Sequence, residues 1–358
     1  MSPRPKISVL IPTYNYARFL PEAIESVLEQ DYRDFEVLIS DDDSTDGSAG
    51  ILRNYANRDP RIRVVVQPRN LGMVANWNWC LTQARGEYVK FLFGDDRLAC
   101  AHALRRLAQM LDDHPSAVLA ASTRQLIDEH SRPLGRRDDI AHEGLVAGRD
   151  VARRCLLQFK NCIGEPSTVI FRRAAVAVRS FSTHYRQAVD LDMWLYLLRG
   201  GNLVYTHEPL SHFRCHAEQQ TAVNHRQRLG WSEHVRLAHD YWADFVGTDT
   251  ALRLRERREL FQLIHWAQRN QQYDASLKSL LPILRQLLGP TWYRCFWMER
   301  KLTRPFANAR RVWFVHLRRQ NPTLPAHFPP QSVRYAPVPA SQRPYSHLQL
   351  RPVSPRRD

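Results

Sequence analysis

"FEVLISDDDSTDGS", residues 35–48, decides how the rest of the chain is read. Phe35 to Ser40 form a mostly apolar run of strand length, rich in aromatic and branched residues, and Asp41, Asp42, Asp43 and Asp46 crowd the point where that run stops. Taken alone, the polar half reads equally well as a turn leading into a helix, because Ser, Thr, Asp and Gly are what turns and helix caps use. Three more runs share the strand character: "ISVLIP" (7–12), "IRVVVQ" (62–67) and "EYVKFLF" (87–93). Helical patterns separate them. "PEAIESVLEQ" (21–30) opens on a proline suited to a first helical turn and sets Ile24, Val27 and Leu28 on one face. "MVANWNWCLTQAR" (73–85) and "ACAHALRRLAQMLDDHP" (99–115) follow later strands in the same way. This alternation predicts an α/β fold with a doubly wound, mainly parallel sheet.

In open parallel sheets the ligand crevice lies beyond the carboxyl ends of the strands, which is where the aspartate cluster falls. A second pair, Asp95 and Asp96 in "FLFGDDRL", follows the fourth run at the same sheet edge. Adjacent carboxylates repel and raise their own pKa unless a cation lies beside them. Hard divalent ions, Mg²⁺ or Mn²⁺, suit an oxygen-only site and often share their coordination with substrate phosphates. Arg97 and Arg69 are the alternative partners, in a metal-free ion-pair network.

The chain has 358 residues, 44% of them hydrophobic, enough for a sizeable core. It has no uninterrupted apolar run of membrane-spanning length, and "MSPRPKISVL" lacks the apolar stretch of a signal peptide, so a cytoplasmic protein is expected. Six scattered cysteines show neither metal-ligand spacing nor disulfide density and read as reduced thiols. The net charge of +15 calls for an anionic partner. A basic nucleic-acid-binding protein is one reading of that charge. Against it, the acidic clusters would repel a phosphate backbone and no nucleic-acid motif is present, so no nucleic-acid partner is expected.

With both acidic clusters in place, "VLIPTYNYARFLPEAIESVLEQDYRDFEVLISDDDSTDGS" (9–48) and "NLGMVANWNWCLTQARGEYVKFLFGDD" (70–96) together resemble family 2 of the inverting nucleotide-sugar glycosyltransferases, of GT-A fold, over roughly residues 6–220. The motifs occur in the family's order and spacing, which makes the likeness specific. One departure is Asp43, where the family usually has glycine. The resemblance implies a nucleoside diphosphate sugar donor, bound by Pro12, Thr13, Tyr14 and Asn15 of the "PTYN" element, with the tyrosine ring against the base; a buried structural tyrosine is the other reading of Tyr14. Asp42 matches the carboxylate that accepts a hydrogen bond from the base, with Asp41 beside it, and a uracil or thymine N–H suits such an acceptor. Asn70, Gly72 and Asn76 fall in the stretch that passes close to the donor, whereas Trp77 and Trp79 read as helix packing. Asp96 matches the metal ligand and Asp95 a sugar or ribose contact.

Transfer with inversion also requires a base on the far side of the sugar. "RQAVDLDMWLYLLRGG" (186–201) offers Asp190 and Asp192, and the resemblance favours Asp190, although Val189 stands where the family often has glutamate. "SHFRCHAEQQT" (211–221) matches an Arg-x-His element, which makes Arg214 a diphosphate contact and His216 a metal ligand. "IGEPSTVIFRR" (163–173) resembles the floor of the acceptor site, with Glu165 and Arg172 as further candidates. The implied organisation is a GT-A domain over 1–222, with a donor half to about 120 and an acceptor half from about 121. A helical appendage follows over 223–320, and then a Pro/Arg-rich, disordered tail over 321–358. The expected acceptor is a glycan or lipid-linked hydroxyl. The Arg-aromatic stretch from 292 suits peripheral contact with an anionic membrane. A catalytically inactive, nucleotide-sugar-binding relative is the remaining alternative.

Overall fold

The computed structural model describes residues 4–226, 229–247, 252, 254–271 and 275–302. The strands β1 (Ile7–Thr13), β2 (Phe35–Asp41), β3 (Ile62–Val66) and β4 (Tyr88–Phe91) are the four runs read from the sequence. They pair in parallel in the order β3-β2-β1-β4. β1 and β2 are buried along their whole length, which is why they read as continuous apolar runs and not as alternating ones. Between them run α1 (Leu20–Leu28), α2 (Ser48–Arg58) and α3 (Met73–Gln83). The pattern read over 99–115 becomes α4 (Ala103–Asp113), because the short strand β5 (Arg97–Leu98) and a turn occupy the residues before it.

The second half of the sheet is mixed. β6 (Ala117–Ile127) and β10 (Asn202–Arg214) pair in parallel, while β9 (Val169–Arg172) lies between β4 and β6, antiparallel to both. β7 (Pro133–Arg137) and β8 (Gly144–Val146) add to β6 and β10, and β5 closes the far edge. α5 (Gly148–Gln158) and α6 (Val189–Leu198) complete this half.

Two cores sandwich the sheet, and β1 shows why. Ile7, Val9 and Ile11 pack with residues of α1, α2 and α4, while Leu10 packs with Trp77 and Cys80 of α3 and with residues of α5 and α6, as the two-residue period of a strand requires. The later helices are α7 (Gln220–Arg226), α8 (Leu229–Phe245), α9 (Leu254–Asn270) and α10 (Ala275–Leu288). α8 packs against α5 and places Leu237, Ala238, Tyr241 and Phe245 in the core that α5 and α6 line. Residues 1–293 form one compact unit, and residues 294–302 of a second are helical. The tail expected over 321–358, and the Arg-aromatic stretch beyond 302, lie outside the described residues. Among the described residues no helix is long and apolar enough to cross a membrane.

Candidate functional site

The loops after β1 and β2 are stitched together by the polar residues that made the opening stretch conspicuous. Pro12 pairs with Ser40 across the two strands, and the Thr13 carbonyl accepts the Asp42 N–H at 2.9 Å. Asn15, at φ 55°, accepts the Thr45 N–H on Oδ1 at 2.9 Å, and its own N–H donates to Ser44 Oγ at 2.8 Å. Asp46 accepts the Ala17 N–H at 2.8 Å on one oxygen and the Ser48 N–H at 3.0 Å on the other. Burial works to raise its pKa, but the bonds from Ser48 and Ala17 outweigh it and hold the carboxyl below the usual range. Asp43 adopts φ 64°, the left-handed conformation that explains the family's glycine; aspartate is among the few side chains that tolerate it, so the turn survives the substitution.

Asp41 and Asp42 are both buried. Asp41 faces Ser44, and burial pushes its carboxyl above the usual range. Asp42 accepts the Leu71 N–H on Oδ1 at 2.7 Å and the Gly72 N–H on Oδ2 at 2.9 Å, while the Asn70 side chain donates to its carbonyl at 3.0 Å. Asp42 is therefore the post on which the 70–72 loop hangs, with one protein donor already on each carboxylate oxygen. Asn76 lies beneath, its amide bonded in both directions to Ser40, so its side chain ties α3 to β2. Tyr14 is 47% exposed, which removes the reading of a buried structural tyrosine and leaves its ring available at the crevice. Trp77 stacks on Phe93 at 4.8 Å, the packing role expected of it.

Asp95 and Asp96 follow β4 and are almost fully buried. His216 Nε2 lies 3.0 Å from Asp95 Oδ2, the Tyr16 hydroxyl bonds to the same carboxylate, and the Arg214 N–H donates to Asp96 Oδ1 at 2.9 Å. Asp96 Oδ2 is buried with no well-formed hydrogen bond, although the Ser167 side chain comes near enough to the Asp96 carboxyl to favour its charged form. Burial, reinforced by the charge of Asp95, raises the Asp96 pKa well above the usual carboxylate range. Arg97 pairs with Glu22 at 3.6 Å, and among the described residues no arginine or lysine forms an ion pair with Asp95 or Asp96. The buried Lys90 ammonium donates to the Ser167 carbonyl, and burial pushes it down to about 7 against the pull of Asp96.

The Arg214 side chain is buried and engaged with protein partners. Its guanidinium is 1% exposed and donates to the Asp95 and Asp128 carbonyls, to Ser131 Oγ and to Glu22 Oε2, so it braces the Asp95–Asp96 turn from below. Arg172 likewise donates to the Ala117 and Leu111 carbonyls, a structural arrangement.

Asp190 stands in the first turn of α6. Its Oδ2 accepts the Asn161 amide at 2.9 Å and its Oδ1 the Leu191 N–H at 2.7 Å. Burial, helped by the charge of Glu165, pushes its pKa up to about 7. Glu165 also acts on Asp96 through its charge and is ion-paired with the buried Arg124 of β6 at 2.5 Å. Asp192 is a different kind of residue: it is buried, ion-paired with Arg179 at 2.5 Å and hydrogen-bonded by Tyr241 at 2.9 Å.

Sequence reading missed Tyr16, Arg124, Asn161 and Ser167. Tyr16 has a signal, the second tyrosine of "PTYNY", and Ser167 lies within the 163–173 stretch that resembles the acceptor floor; Arg124 and Asn161 lie in segments with no local pattern and are brought in by β6 and by the loop before β9.

Two comparisons of sequence and one of fold bear on this arrangement. Residues 8–178 match the family model described as "Glycosyl transferase family 2". The Bacillus subtilis protein assigned as the teichuronic acid biosynthesis glycosyltransferase TuaG is 31% identical over 212 residues, 59% of this chain and 79% of that one. The GalNAc(5)-diNAcBac-PP-undecaprenol beta-1,3-glucosyltransferase of Campylobacter jejuni is 27% identical over 239 residues, 65% and 74% of the two chains. In fold, the chain is similar to S. aureus TarS 1-349 in complex with UDP-GlcNAc, with TM-score 0.59 and 19% identity over 80% of this chain and 82% of that one.

Proposed function

This chain belongs to family 2 of the glycosyltransferases, and from that premise we propose that it transfers a sugar, with inversion, from a uridine or thymidine diphosphate sugar to a hydroxyl of a glycan or lipid-linked acceptor. Asp190 is the base. The observation that carries this reading is the contrast within α6: Asp192 is neutralised by Arg179, whereas Asp190 has no cationic partner among the described residues and has a pKa near 7. A base poised near the working pH combines the ionised form with a useful affinity for the proton.

In this account the acceptor oxygen bonds to the anomeric carbon from the face opposite the diphosphate. The bond from that carbon to the diphosphate oxygen breaks with its electron pair, and the acceptor proton passes to the Asp190 carboxylate. Asn161 fixes the carboxylate through Oδ2. On the donor side, Tyr14 lies against the base, Asn15 and Asp46 hold the loop that carries it, and Asp42 holds the 70–72 loop on the other flank.

The residues fit a hard divalent cation, Mg²⁺ or Mn²⁺. Asp96 Oδ2 is a buried carboxylate oxygen with no well-formed hydrogen bond, and among the described residues neither Asp96 nor the adjacent Asp95 forms an ion pair with a lysine or arginine. Asp96 is the first ligand; His216, bonded to Asp95, holds that second carboxylate in orientation. In this reading substrate phosphates complete the coordination. When bound, such an ion supplies Lewis-acid neutralisation of the leaving diphosphate. The lipid-linked form of the acceptor is supported by the undecaprenol-linked substrate named for the Campylobacter jejuni relative.

Asp190→Asn tests the reading. The expected result is transfer slowed by at least about a hundredfold, the lower range for a general base, with donor affinity unchanged. Retained transfer would remove Asp190 from the chemistry.

A further inference from the structure

Away from the crevice, a second group of side chains has the make-up of a metal site. Cys100 and His102 lie in the turn between β5 and α4, and Glu208 lies in β10 where its register with β6 shifts between Thr206 and Ser211. One donor atom from each falls within 4.8 Å of the other two, the one such triple among the described residues. Both measured contacts converge on one nitrogen: His102 Nε2 is 3.5 Å from Cys100 Sγ and 2.5 Å from Glu208 Oε1. The sulfur-to-nitrogen separation of 3.5 Å is what two ligands of a tetrahedral zinc ion show, given bonds of about 2.3 Å to sulfur and about 2.0 Å to nitrogen, whereas the 2.5 Å contact of His102 with Glu208 is a direct hydrogen bond that an ion would replace, the carboxylate drawing back by under about 1 Å.

The donors are held in place before any ion arrives. The turn is tied down by Gln30, whose amide donates to the Cys100 carbonyl at 2.8 Å, by the Asp31 N–H donating to the Ala101 carbonyl at 2.8 Å, and by the Ala99 N–H donating to the Leu210 carbonyl at 3.1 Å. That last bond joins the two ligand-bearing segments directly. Thr206 Oγ1 accepts the Glu208 N–H at 3.2 Å. Arg106 approaches the other Glu208 oxygen, Oε2, at 3.9 Å, which leaves Oε1 facing the histidine and the thiol. All three residues are partly exposed, so an ion has a route in.

We propose that Cys100, His102 and Glu208 bind a thiophilic divalent cation of the zinc class, with water as the fourth ligand, and that the site clamps the start of α4 to β10. A thiolate and an imidazole select against Mg²⁺ and Mn²⁺ and in favour of zinc or cobalt, so the site is chemically separate from the Asp95–Asp96 pair. Thiolate and carboxylate together balance the charge of the ion.

The test uses the full chain, stripped with chelator and titrated with Co²⁺ alone. The expected result is a thiolate-to-cobalt charge-transfer band that saturates at one equivalent, bleaches on adding Zn²⁺, and accompanies a rise in melting temperature. The band should be lost in Cys100→Ser and weakened at least about tenfold in apparent affinity in His102→Ala, since changes even outside the ligand set typically lower affinity by that much. It should persist in Cys295→Ser, which removes an exposed thiol, and in Asp96→Asn, which alters the crevice. No band in the wild-type chain, or a band that survives Cys100→Ser, overturns the proposal.

Discussion

Asp190 and Asp192 stand two residues apart on one helix and differ in everything that matters for catalysis. Asp192 has Arg179 and Tyr241; Asp190 has two neutral N–H donors and the negative charge of Glu165 at a distance. Because burial first, and Glu165 second, raise the Asp190 pKa to about 7, its ionised form is lost as pH falls through that value, and kcat/KM should fall with it. The two neighbours push in opposite directions. Glu165→Gln removes a charge that opposes ionisation and should move the acid limb of the profile to lower pH. Asn161→Ala removes a donor that favours the charged form and should move it to higher pH. Shifts in the same direction for both variants would disconnect the limb from Asp190. The sequence made these two aspartates candidates but carried no sign of the Arg179 and Tyr241 contacts that separate them, because those partners come from elsewhere in the chain.

At the scale of elements, α6 is held by a residue far from it in sequence. The Glu233 carboxylate of α8 accepts the N–H groups of Arg186, Gln187 and Ala188 at 2.7–3.0 Å, so it satisfies the entry to the helix that carries Asp190. Tyr185 to Asp240 and Arg199 to Asp244 add further links between α6's flanks and α8. Glu233→Ala leaves those donors without their acceptor and should lower stability by about 3 kcal/mol or more, on a scale of about 1–3 kcal/mol per unsatisfied buried group. Chemical denaturation measures the loss; a change under 1 kcal/mol, taken as about the value of an ordinary hydrogen bond, would show that water replaces the carboxylate. Such a brace is invisible in local patterning. What was legible were β1 to β4 and the helices α1 and α3, since the buried parallel strands read as unbroken apolar runs, whereas α2, with few buried residues, was not. The antiparallel insertion of β9 is a long-range event that no window of sequence contains, and α4 starts later than its apolar pattern because a turn after β5 occupies residues 99–102.

At the scale of the whole molecule, a chain of net charge +15 gathers the buried Asp41, Asp42, Asp95 and Asp96 at one sheet edge, with the buried Asp192 set apart on α6. That placement was readable, because strand ends in an open parallel sheet fall together whatever the intervening helices are. The work each acid does there was less readable. Asp42 and Asp46 are largely engaged in building loops, Arg214 braces a turn, and Asp96 keeps one buried oxygen without a well-formed hydrogen bond. Burial raises the Asp96 pKa, and in the proposed reading a divalent ion arriving with the diphosphate would supply the compensating charge.

Calorimetric titration of UDP, dTDP, GDP and CDP into the wild-type chain and Asp96→Asn, each with and without Mn²⁺, tests this claim most directly. The account predicts that UDP or dTDP binds the wild type with metal present, that binding weakens without it, and that Asp96→Asn binds equally weakly in both conditions. Metal-independent binding of equal strength in both proteins, or no binding of any diphosphate, would contradict it.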